Sequence, residues 1–317
     1  MTTEPTAIVC TGILCADILG KTINALPAKG KLSLADEISM QVGGCAANVA
    51  IGIARLGISS TIIGRVGNDG LGHFIQSTLL NENVSTAGLK MDAAYCTAAS
   101  MVMIDSSGER TIIHAMGANA AFCFDDVKLD IVRQASILLI AGTFLMPSFD
   151  GAGTVALLRY AKQHGVICCM DTAWDATGQW LDSIGTSLEY LDWFMPSYDE
   201  AVELSGKKEP AEIAAFFLDK GVKNVIIKLG HEGCFVQPGS EVGYRVASYT
   251  NIAAIDSSGA GDSFCAGFIT GLSQGWPIYD CAVFANAVGA HCVMKVGTTA
   301  GIKSMPDILE FIEMSSE

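Results

Sequence analysis

The chain has 317 residues, of which 50% are apolar and 16% are charged, and its formal net charge is -14. This length and apolar content allow a sizeable buried core, so the sequence predicts a globular protein. The acidic balance argues against nucleic acid or anionic lipid as a partner, because binding either one needs Lys and Arg to neutralise phosphates. A nucleotide site would therefore depend on helix N-termini, a few basic side chains and a metal ion for positive potential.

Neither a membrane span nor a secretory signal is predicted. The longest nearly uncharged apolar run, 135–147, is too short to cross a bilayer, and the first ten residues lack the basic and apolar regions of a signal. The 11 cysteines are scattered without a C-x-x-C pair, which indicates reduced core residues and no zinc site. Cys168 and Cys169 lie in a strand pattern that points them to opposite faces. We expect a cytoplasmic protein.

Short apolar runs alternate with helical patterns along most of the chain. The predicted strands are 7–12, 61–67, 137–142, 166–171, 193–197 and 225–230. The predicted helices are 45–56, 70–81, 151–164, 210–219, 260–273, 278–295 and a last one from Pro306. This alternation is typical of βαβ units, so we expect an α/β fold with a mostly parallel sheet covered by helices on both faces.

Two stretches, approximately 12–42 and 95–114, contain little helical pattern. They indicate short strands, and the second stretch includes a hairpin around DSSGER at 105–110. A small β element inserted into an α/β domain is suited to act as a lid. With no repeat and no linker in the sequence, we expect one domain over 1–317 with this β lid. An exposed edge of the lid sheet would gain from pairing with a second copy, which predicts a homodimer through the lid.

The segment DSSGAGDSFCAGF, at 256–268, places a glycine-rich turn before a predicted helix. Gly259 and Gly261 allow a tight turn and a close approach of the backbone to a ligand. The first N–H groups of the helix, around Ala260, have no helical partner and attract an anion such as a phosphate. From the residues alone, Asp262 beside this anion seat is either a catalytic carboxylate or a capping acid in an ordinary turn.

This segment resembles the D-T-x-G-A-G-D-x-F signature of the ribokinase, or PfkB, family of carbohydrate kinases. The segment VGGCAANVAIGIARLG, at 42–57, is similar to the family's glycine-pair signature, and GRVGNDGLG, GERTI and VIIKLGHEGC follow in the family's order. The resemblance covers essentially the whole chain. It implies a ribokinase-like fold and an ATP-dependent kinase that transfers the γ-phosphoryl group of ATP to a hydroxymethyl group of a small sugar.

The resemblance also implies the roles of the glycine-rich turn. In the family the aspartate of this motif is the general base, which gives that role to Asp262. The backbone N–H groups of Gly259, Ala260 and Gly261 would steady the transferring phosphoryl group. In-line transfer needs a hydroxyl that loses its proton beside the phosphoryl group, which explains an acid next to an anion seat.

The residues implied on the substrate side come from two regions. They are Asp17, Gly43, Gly44, Asn48, Arg110 and Asn119. The two glycines would let the backbone approach a sugar, and Asp17 and Asn48 would hydrogen-bond its hydroxyls. Without the resemblance, Asp17 is a solvated acid at a strand end and Asn48 is a helix cap. Arg110 lies on the lid hairpin, where the alternative is a surface residue.

On the nucleotide side, KLGHEGC at 228–234 resembles the family's T-x-G-x-x-G segment, which lines the ATP phosphates and ribose. Lys228 stands where threonine is commoner, and it either meets a phosphate or pairs with a nearby acid. Gly230 and Gly233 would permit close approach of the nucleotide. Asn286, in FANAVGA, matches a family position near the adenine.

Two cation sites are implied. The family motif N-x-x-E, whose glutamate organises Mg²⁺ through water, reads SYDE at 197–200, so Glu200 keeps the acid while Ser197 replaces the asparagine. Asp256 and Ser258 match a region where many relatives bind K⁺, together with a loop near Gly297. The alternative is that Asp256 and Ser258 only cap the turn.

A second difference from the family pattern bears on the charge of the sugar that accepts the phosphoryl group. Where many relatives read D-x-N-x-R, this chain reads DTAWD at 171–175, so Ala173 and Asp175 replace the asparagine and the arginine. Loss of a cation and gain of an acid favour a neutral sugar over a sugar phosphate. The sequence does not name the sugar.

Other functions stay open at this point. A nucleoside kinase of the same fold would need apolar residues around a base, for which Met40, Met101 and Met103 are candidates, although methionines at such spacing are more often core. A non-catalytic sugar sensor would keep the fold without turnover, and Asp262 weighs against it. A dinucleotide-dependent oxidoreductase is disfavoured because no G-x-G-x-x-G follows the first strand.

Overall fold

The structure is a computed structural model that describes residues 8–107 and 109–315. Ala7, where the first strand is predicted to begin, and Gly108, in the predicted hairpin turn, lie outside the described residues. Within the described ranges, every helix is either too short or too polar to cross a membrane.

The described residues form thirteen β-strands in two sheets. In chain order the strands are β1 (Ile8–Gly12), β2 (Cys15–Lys21), β3 (Glu37–Gly43), β4 (Ser60–Gly67), β5 (Ser85–Asp92), β6 (Ala99–Ile104), β7 (Arg110–Ala115), β8 (Ile137–Thr143), β9 (Ile167–Thr172), β10 (Trp193–Phe194), β11 (Asn224–Lys228), β12 (Cys234–Pro238) and β13 (Tyr244–Val246). The large sheet has the order β13-β12-β11-β10-β9-β8-β1-β4-β5, and the small sheet has the order β3-β2-β6-β7.

The α-helices of the described residues follow most of the large-sheet strands. In chain order they are α1 (Cys45–Arg55), α2 (Gly70–Asn81), α3 (Leu129–Arg133), α4 (Ala152–Gln163), α5 (Leu181–Ile184), α6 (Tyr198–Ser205), α7 (Pro210–Asp219), α8 (Ala260–Ser273), α9 (Ile278–Val293) and α10 (Met305–Ser315). Three of them begin and end where the sequence predicts, namely α2, α7 and α8. The others that were predicted differ by no more than two residues at either end.

Local sequence signals explain several helix ends. The side chain of Asp69 accepts a hydrogen bond from the Gly72 amide at 2.8 Å and so caps α2. Pro210 begins α7, where its missing N–H leaves no helical bond unmade. Gly206 ends α6 with φ of 67°, a left-handed conformation that glycine adopts without strain.

The large sheet separates two hydrophobic cores. Alternate residues of β1 point to opposite sides, with Ile8 in one core and Val9 in the other. Helices α1 and α8 pack in the first core, and helices α4 and α7 pack in the second. Cys168 and Cys169 also face opposite cores, as predicted. An α/β fold with helices on both faces of a mostly parallel sheet is thereby confirmed.

Some strands differ from the prediction for identifiable reasons. Strand β10 has only two residues, because Pro196 lacks the N–H that a longer ladder would use. Strand β5 was not predicted, since its sequence, STAGLKMD, is polar, and an edge strand of the sheet needs little apolar surface. Strand β12 was also not predicted, and its antiparallel pairing with β11 and β13 ends the parallel part of the sheet.

The small sheet is formed by β2, β3, β6 and β7. Strands β6 and β7 are an antiparallel pair in which Ile104 lies opposite Arg110. One face of the sheet carries Asp17 and Arg110 and borders a cavity between the small sheet and the rest of the protein. The opposite face exposes Met40 and Met101, with exposed fractions of 41% and 54%. These two methionines are therefore neither core residues nor part of that cavity, contrary to both sequence interpretations.

A glycine in α8 makes the packing of α8 against α9 sensitive to volume. We predict that Gly267→Ala lowers the free energy of unfolding by about 1–3 kcal/mol through overpacking. The added Cβ would lie 2.8 Å from Ala285 Cα and 3.0 Å from Val288 Cγ2. The matched control is Gly70→Ala in α2, where the added Cβ meets no atom within 4 Å. Urea unfolding measures both variants, and equal stabilities would contradict the prediction.

Candidate active site

The N-terminus of α8 forms the predicted anion seat. Gly259 precedes the helix with φ of 72°, and a Cβ there would lie 2.1 Å from the carbonyl oxygen of Thr298. Only glycine can therefore occupy this position without moving the neighbouring loop. The amides of Gly261 and Asp262 come next, and the first amides of a helix have no carbonyl one turn earlier to bond. These amides carry the positive end of a helix of 14 residues.

Asp262 lies in the first turn of α8, and a side chain of α1 holds its carboxylate in place. Its Oδ2 accepts a hydrogen bond from Asn48 Nδ2 at 2.8 Å. Burial raises the pKa of Asp262 above its ordinary value, and the Asn48 bond and the charge of Lys228 act against this shift. A carboxylate with a raised pKa is a stronger proton acceptor than a solvated one.

Lys228 places a cation beside the anion seat. Its Nζ pairs with Asp171 Oδ1 at 2.6 Å, and the side chain is only 11% exposed. Burial alone would lower the pKa of Lys228, but the nearby carboxylates, Asp171 first, raise it, so the side chain stays charged. A Cβ on Gly261 would lie 3.3 Å from Lys228 Nζ. Of the two sequence interpretations, the pairing with an acid is therefore observed, and it leaves the ammonium group beside the anion seat.

The anion seat opens into a cavity of about 870 Å³, called here the large cavity. The predicted catalytic and nucleotide residues all line it, together with Glu200. These residues are Gly259, Ala260, Gly261, Asp262, Lys228, Gly230, Gly233 and Asn286. The lining also includes Tyr249, Ile252 and Val293. The cavity thus combines charged groups with apolar side chains that suit a flat aromatic ring.

Two of these residues have partners within the protein. Asn286 Nδ2 donates to the carbonyl oxygens of Val246 and Ala247 at 3.1 and 3.2 Å, so it holds the loop after β13. Gly233 has φ of 95°, and a Cβ there would lie 2.1 Å from the Val246 carbonyl oxygen. Gly233 is therefore required by the approach of β13, whereas a Cβ on Gly230 would meet nothing within 4 Å.

A second cavity of about 110 Å³, called here the small cavity, lies between the small sheet and the loop before α8. It is lined by Asp17 and Arg110 from the small sheet and by Asp256 and Ser258 from the loop. Gly43 does not line it, but a Cβ on Gly43 would lie 2.0 Å from Asp17 Oδ2, so the glycine makes room for this carboxylate. Gly44 has φ of 91° at the start of α1, where a Cβ would lie 2.5 Å from the Ile13 carbonyl oxygen.

Asn119 and Asp175 lie apart from both cavities. The side chain of Asn119 accepts a hydrogen bond from the Leu14 amide and donates one to the Leu14 carbonyl, so both ends of its amide are used within the core. The Asp175 carboxylate accepts hydrogen bonds from the Thr177 amide, the Thr177 hydroxyl and the Trp180 amide. The effect of Asp175 on the charge of the acceptor, which the sequence suggested, therefore has no contact in the structure to support it.

The residues around Glu200 suit a magnesium ion. Its Oε2 accepts hydrogen bonds from the Ser197 amide at 3.0 Å and from Thr172 Oγ1 at 2.9 Å, which fixes the carboxylate at the cavity wall. Ser197 thus contributes its backbone to the orientation of Glu200, so the change from asparagine leaves the acid in place. Mg²⁺ prefers one or two carboxylates together with water and phosphate oxygens, and Glu200, which lines the large cavity, offers such a carboxylate.

The residues around Asp256 do not suit a potassium ion. The guanidinium group of Arg110 donates to Asp256 Oδ1 and to Ser258 Oγ. The remaining Asp256 oxygen, Oδ2, accepts a hydrogen bond from the Gly297 amide at 2.9 Å. A positive side chain and a backbone amide therefore occupy both oxygens of the Asp256 carboxylate, and the same side chain occupies the Ser258 hydroxyl.

Comparison with known proteins shows the family of this chain. Residues 5–305 match the sequence profile of the pfkB family carbohydrate kinases. The chain belongs to this family. It is a sugar kinase, a phosphotransferase with an alcohol group as acceptor, as the resemblance implied.

The similarity to known relatives covers most of this chain and most of each relative. The 5-dehydro-2-deoxygluconokinase of Geobacillus thermodenitrificans is 27% identical, with 98% of this chain and 94% of that protein covered. The ribokinase of Haemophilus influenzae is 28% identical over 86% of this chain and 87% of that protein. The structure of Arabidopsis thaliana ribokinase complexed with ribose and ATP superposes with a TM-score of 0.87 at 26% identity, covering 98% of this chain and 99% of that chain. The ribokinase-like fold is confirmed.

Sequence reasoning missed some residues of the site. Gln41, Ser100 and Thr298 line the small cavity, and Thr298 Oγ1 donates to Asn48 Oδ1 at 2.9 Å. None of them belongs to a quoted motif, and Thr298 is 250 residues from Asn48 in the chain. The alternation of β2, β3 and β6 could have found the first two, because residues on the same face as Asp17 must border the same space.

The hydrogen bond between Asn48 and Asp262 generates a prediction about titration. Asn48→Ala removes a bond to the ionised carboxylate, so the pKa of Asp262 should rise further above its ordinary value. Carboxyl ¹³C NMR titration of Asp262 measures the change. Asn224→Ala is the matched control, because the amide of Asn224 donates to the Asp192 carbonyl far from this site. A pKa of Asp262 that is unchanged or lower in Asn48→Ala would contradict the prediction.

Proposed function

We propose that this chain transfers the γ-phosphoryl group of ATP to a hydroxymethyl group of a small neutral sugar, with Asp262 as the general base. The observation that carries the proposal is that one segment, 256–262, which joins the loop before α8 to the first turn of α8, borders both cavities. Asp256 and Ser258 line the small cavity, and residues 259–262 line the large cavity. A donor in the large cavity and an acceptor in the small cavity would meet at this segment.

The residues on the large-cavity side match the needs of ATP. The amides at the N-terminus of α8 and the ammonium group of Lys228 would contact phosphate oxygens. The apolar wall near Tyr249 and Ile252 would accept the adenine, while Asn286 holds that wall in place through the loop after β13. The Arabidopsis ribokinase that superposes on this chain is itself complexed with ribose and ATP, which supports ATP as the donor.

The transfer follows from these positions. The acceptor hydroxyl attacks the γ-phosphorus as the bond to the bridging oxygen of ADP breaks, and Asp262 takes the hydroxyl proton. The α8 amides and Lys228 face the negative charge that spreads over the phosphoryl oxygens. When bound near Glu200, Mg²⁺ neutralises charge on the phosphates.

The small cavity favours a neutral acceptor. Arg110 is its cation, and the charge of Arg110 is balanced by Asp256, so Asp17 leaves the cavity with a net negative charge. An anionic group on the acceptor would be repelled there. Asp17 is instead suited to accept hydrogen bonds from sugar hydroxyls. Asp175 lies apart from this cavity and does not contribute to its charge.

A screen of acceptors tests this function. With ATP and Mg²⁺, coupled ADP release should be seen with neutral sugars and not with sugar phosphates, acidic sugars or nucleosides. Asp262→Asn should lower kcat by about 10²- to 10⁴-fold while ATP still binds, because only the proton acceptor is lost. Preference for fructose 6-phosphate or for a nucleoside would contradict the neutral-sugar proposal. Sugar binding without ADP release by the wild type would indicate a sensor.

We propose further that the small sheet serves as a lid of a single domain and that it pairs with a second copy. The face of the small sheet that points away from the small cavity exposes Ile38 at 72%, Met101 at 54% and Ile113 at 55%. Apolar side chains in one contiguous patch favour association of two copies.

The dimer proposal is tested by sedimentation velocity. Ile113→Glu should shift the protein toward a monomer, because a charge would be buried in the interface. Leu80→Glu is the matched control, since Leu80 is 55% exposed on α2 and is not part of the small sheet. A wild-type protein that sediments as a monomer at micromolar concentrations, or two variants with equal dimer fractions, would rule out this interface.

A further inference from the structure

We propose that Arg110 is a positioning residue that replaces a metal cation at Asp256 and links the small sheet to the base Asp262. The inference rests on the proposed function, because it takes Asp262 as the proton acceptor. It assigns Arg110 a role different from contact with the sugar. Its basis is a continuous set of hydrogen bonds from β7 to α8.

The first part of this set joins Arg110 to the loop before α8. Arg110 begins β7 in the small sheet and lies 146 residues from Asp256 in the chain. Its two terminal nitrogens donate to Asp256 Oδ1 and to Ser258 Oγ. The Asp256 side chain is only 5% exposed, and the Arg110 side chain is 25% exposed. A buried carboxylate is stable only with a cation or several hydrogen bonds, and Arg110 supplies the cation here.

Backbone amides occupy the rest of the Asp256 carboxylate. Oδ1 also accepts a hydrogen bond from the Ser258 amide at 2.7 Å, and Oδ2 accepts one from the Gly297 amide at 2.9 Å. Burial would raise the pKa of Asp256, but these amides and Arg110 together lower it, so the carboxylate stays ionised. Asp256 therefore ties the loop before α8 to the 297–298 segment, and Arg110 supplies the counter-charge of this buried carboxylate.

The second part of the set continues from the 297–298 segment to the base. Thr298 follows Gly297, and its Oγ1 donates to Asn48 Oδ1 at 2.9 Å. Asn48 Nδ2 in turn donates to Asp262 Oδ2 at 2.8 Å. The Thr298 carbonyl oxygen also lies against Gly259, at the start of the anion seat. A shift of the 297–298 segment would thus move both the base and the anion seat.

This arrangement gives the small sheet an influence on the reacting groups. When the small sheet lies over the small cavity, Arg110 reaches Asp256 and the segment is held. If the sheet swings away, Asp256 loses its cation while it stays buried, which favours protonation or hydration of the carboxylate and so weakens its bond to the Gly297 amide. The base is therefore held in its orientation only when the acceptor is covered, which keeps water from the phosphoryl group.

The test compares Arg110→Gln with the matched control Arg133→Gln, whose arginine forms an exposed ion pair with Asp130 on α3. Arg110→Gln should lower kcat by about 10- to 100-fold, because the base and the anion seat lose their orientation, while KM for the sugar changes little. Arg133→Gln should match the wild type. Asp256→Asn should resemble Arg110→Gln, and the double variant should be no worse than either single variant, since both remove the same interaction.

Monovalent cations supply a second readout. The wild type should turn over equally fast in potassium chloride and in tetramethylammonium chloride, because Arg110 occupies Asp256. In Arg110→Gln, potassium should raise both kcat and the temperature of thermal unfolding, because Asp256 can then bind a small cation. The unfolding measurement does not depend on turnover.

Several results would overturn the inference. They are a wild-type rate that requires potassium, an Arg110→Gln variant whose kcat is unchanged or whose loss lies only in KM for the sugar, and additive losses in the double variant. An Arg110→Gln variant that is indifferent to potassium would overturn the replacement of a cation. Absence of ADP release from the wild type with every acceptor would instead refute the proposed function, so the two failures are distinguishable.

Discussion

The constraint that governs this site is the charge of its acids. A kinase of net charge -14 has to bind a polyphosphate next to carboxylates. Each buried carboxylate would repel the polyphosphate unless a cation or a hydrogen-bond donor within the protein balances the charge of that carboxylate. The structure meets these charges one by one. Lys228 pairs with Asp171, Arg110 pairs with Asp256, and the Asn48 amide bonds Asp262. Asp262, the proposed proton acceptor, has an amide as its direct partner instead of a cation.

The fold brings these pairs together through its loops. The large sheet places the ends of β9 and β11, which lie on either side of β10, next to the start of α8, so Asp171, Lys228 and Asp262 share one cavity. The small sheet approaches from the other side with Asp17 and Arg110. Because a single loop before α8 borders both cavities, two ligands that bind separately would react at that loop. The small sheet makes its ion pair with the same loop. The position of the small sheet over the small cavity is therefore coupled to the geometry of the loop at which the two ligands would meet.

Much of the fold could be predicted because periodicity and capping are local. The bounds of α2, α7 and α8 follow from patterns within each helix and from their first residues. The misses have different causes: β5 is polar because it lies at a sheet edge, which is a nonlocal cause, whereas β10 is short because of the nearby Pro196, which is a local one. In the site, the predicted catalytic and nucleotide residues line one cavity, whereas the side chains of Asn119 and Asp175 lie apart from both cavities and bond their own surroundings. Which atoms a side chain meets depends on contacts between distant segments, and no motif encodes them.

The sequence by itself determined the class of the protein and the composition of the anion seat. Two glycines and an acid before a helix are a local pattern, and their chemistry follows from the backbone that they allow. Only the tertiary structure decided how the charges are shared. The pairing of Arg110 with Asp256 joins residues 146 apart, and the bond from Thr298 to Asn48 joins residues 250 apart. Such pairs arise when separate strands and helices pack together, since packing alone sets the distance between groups that are far apart in the chain.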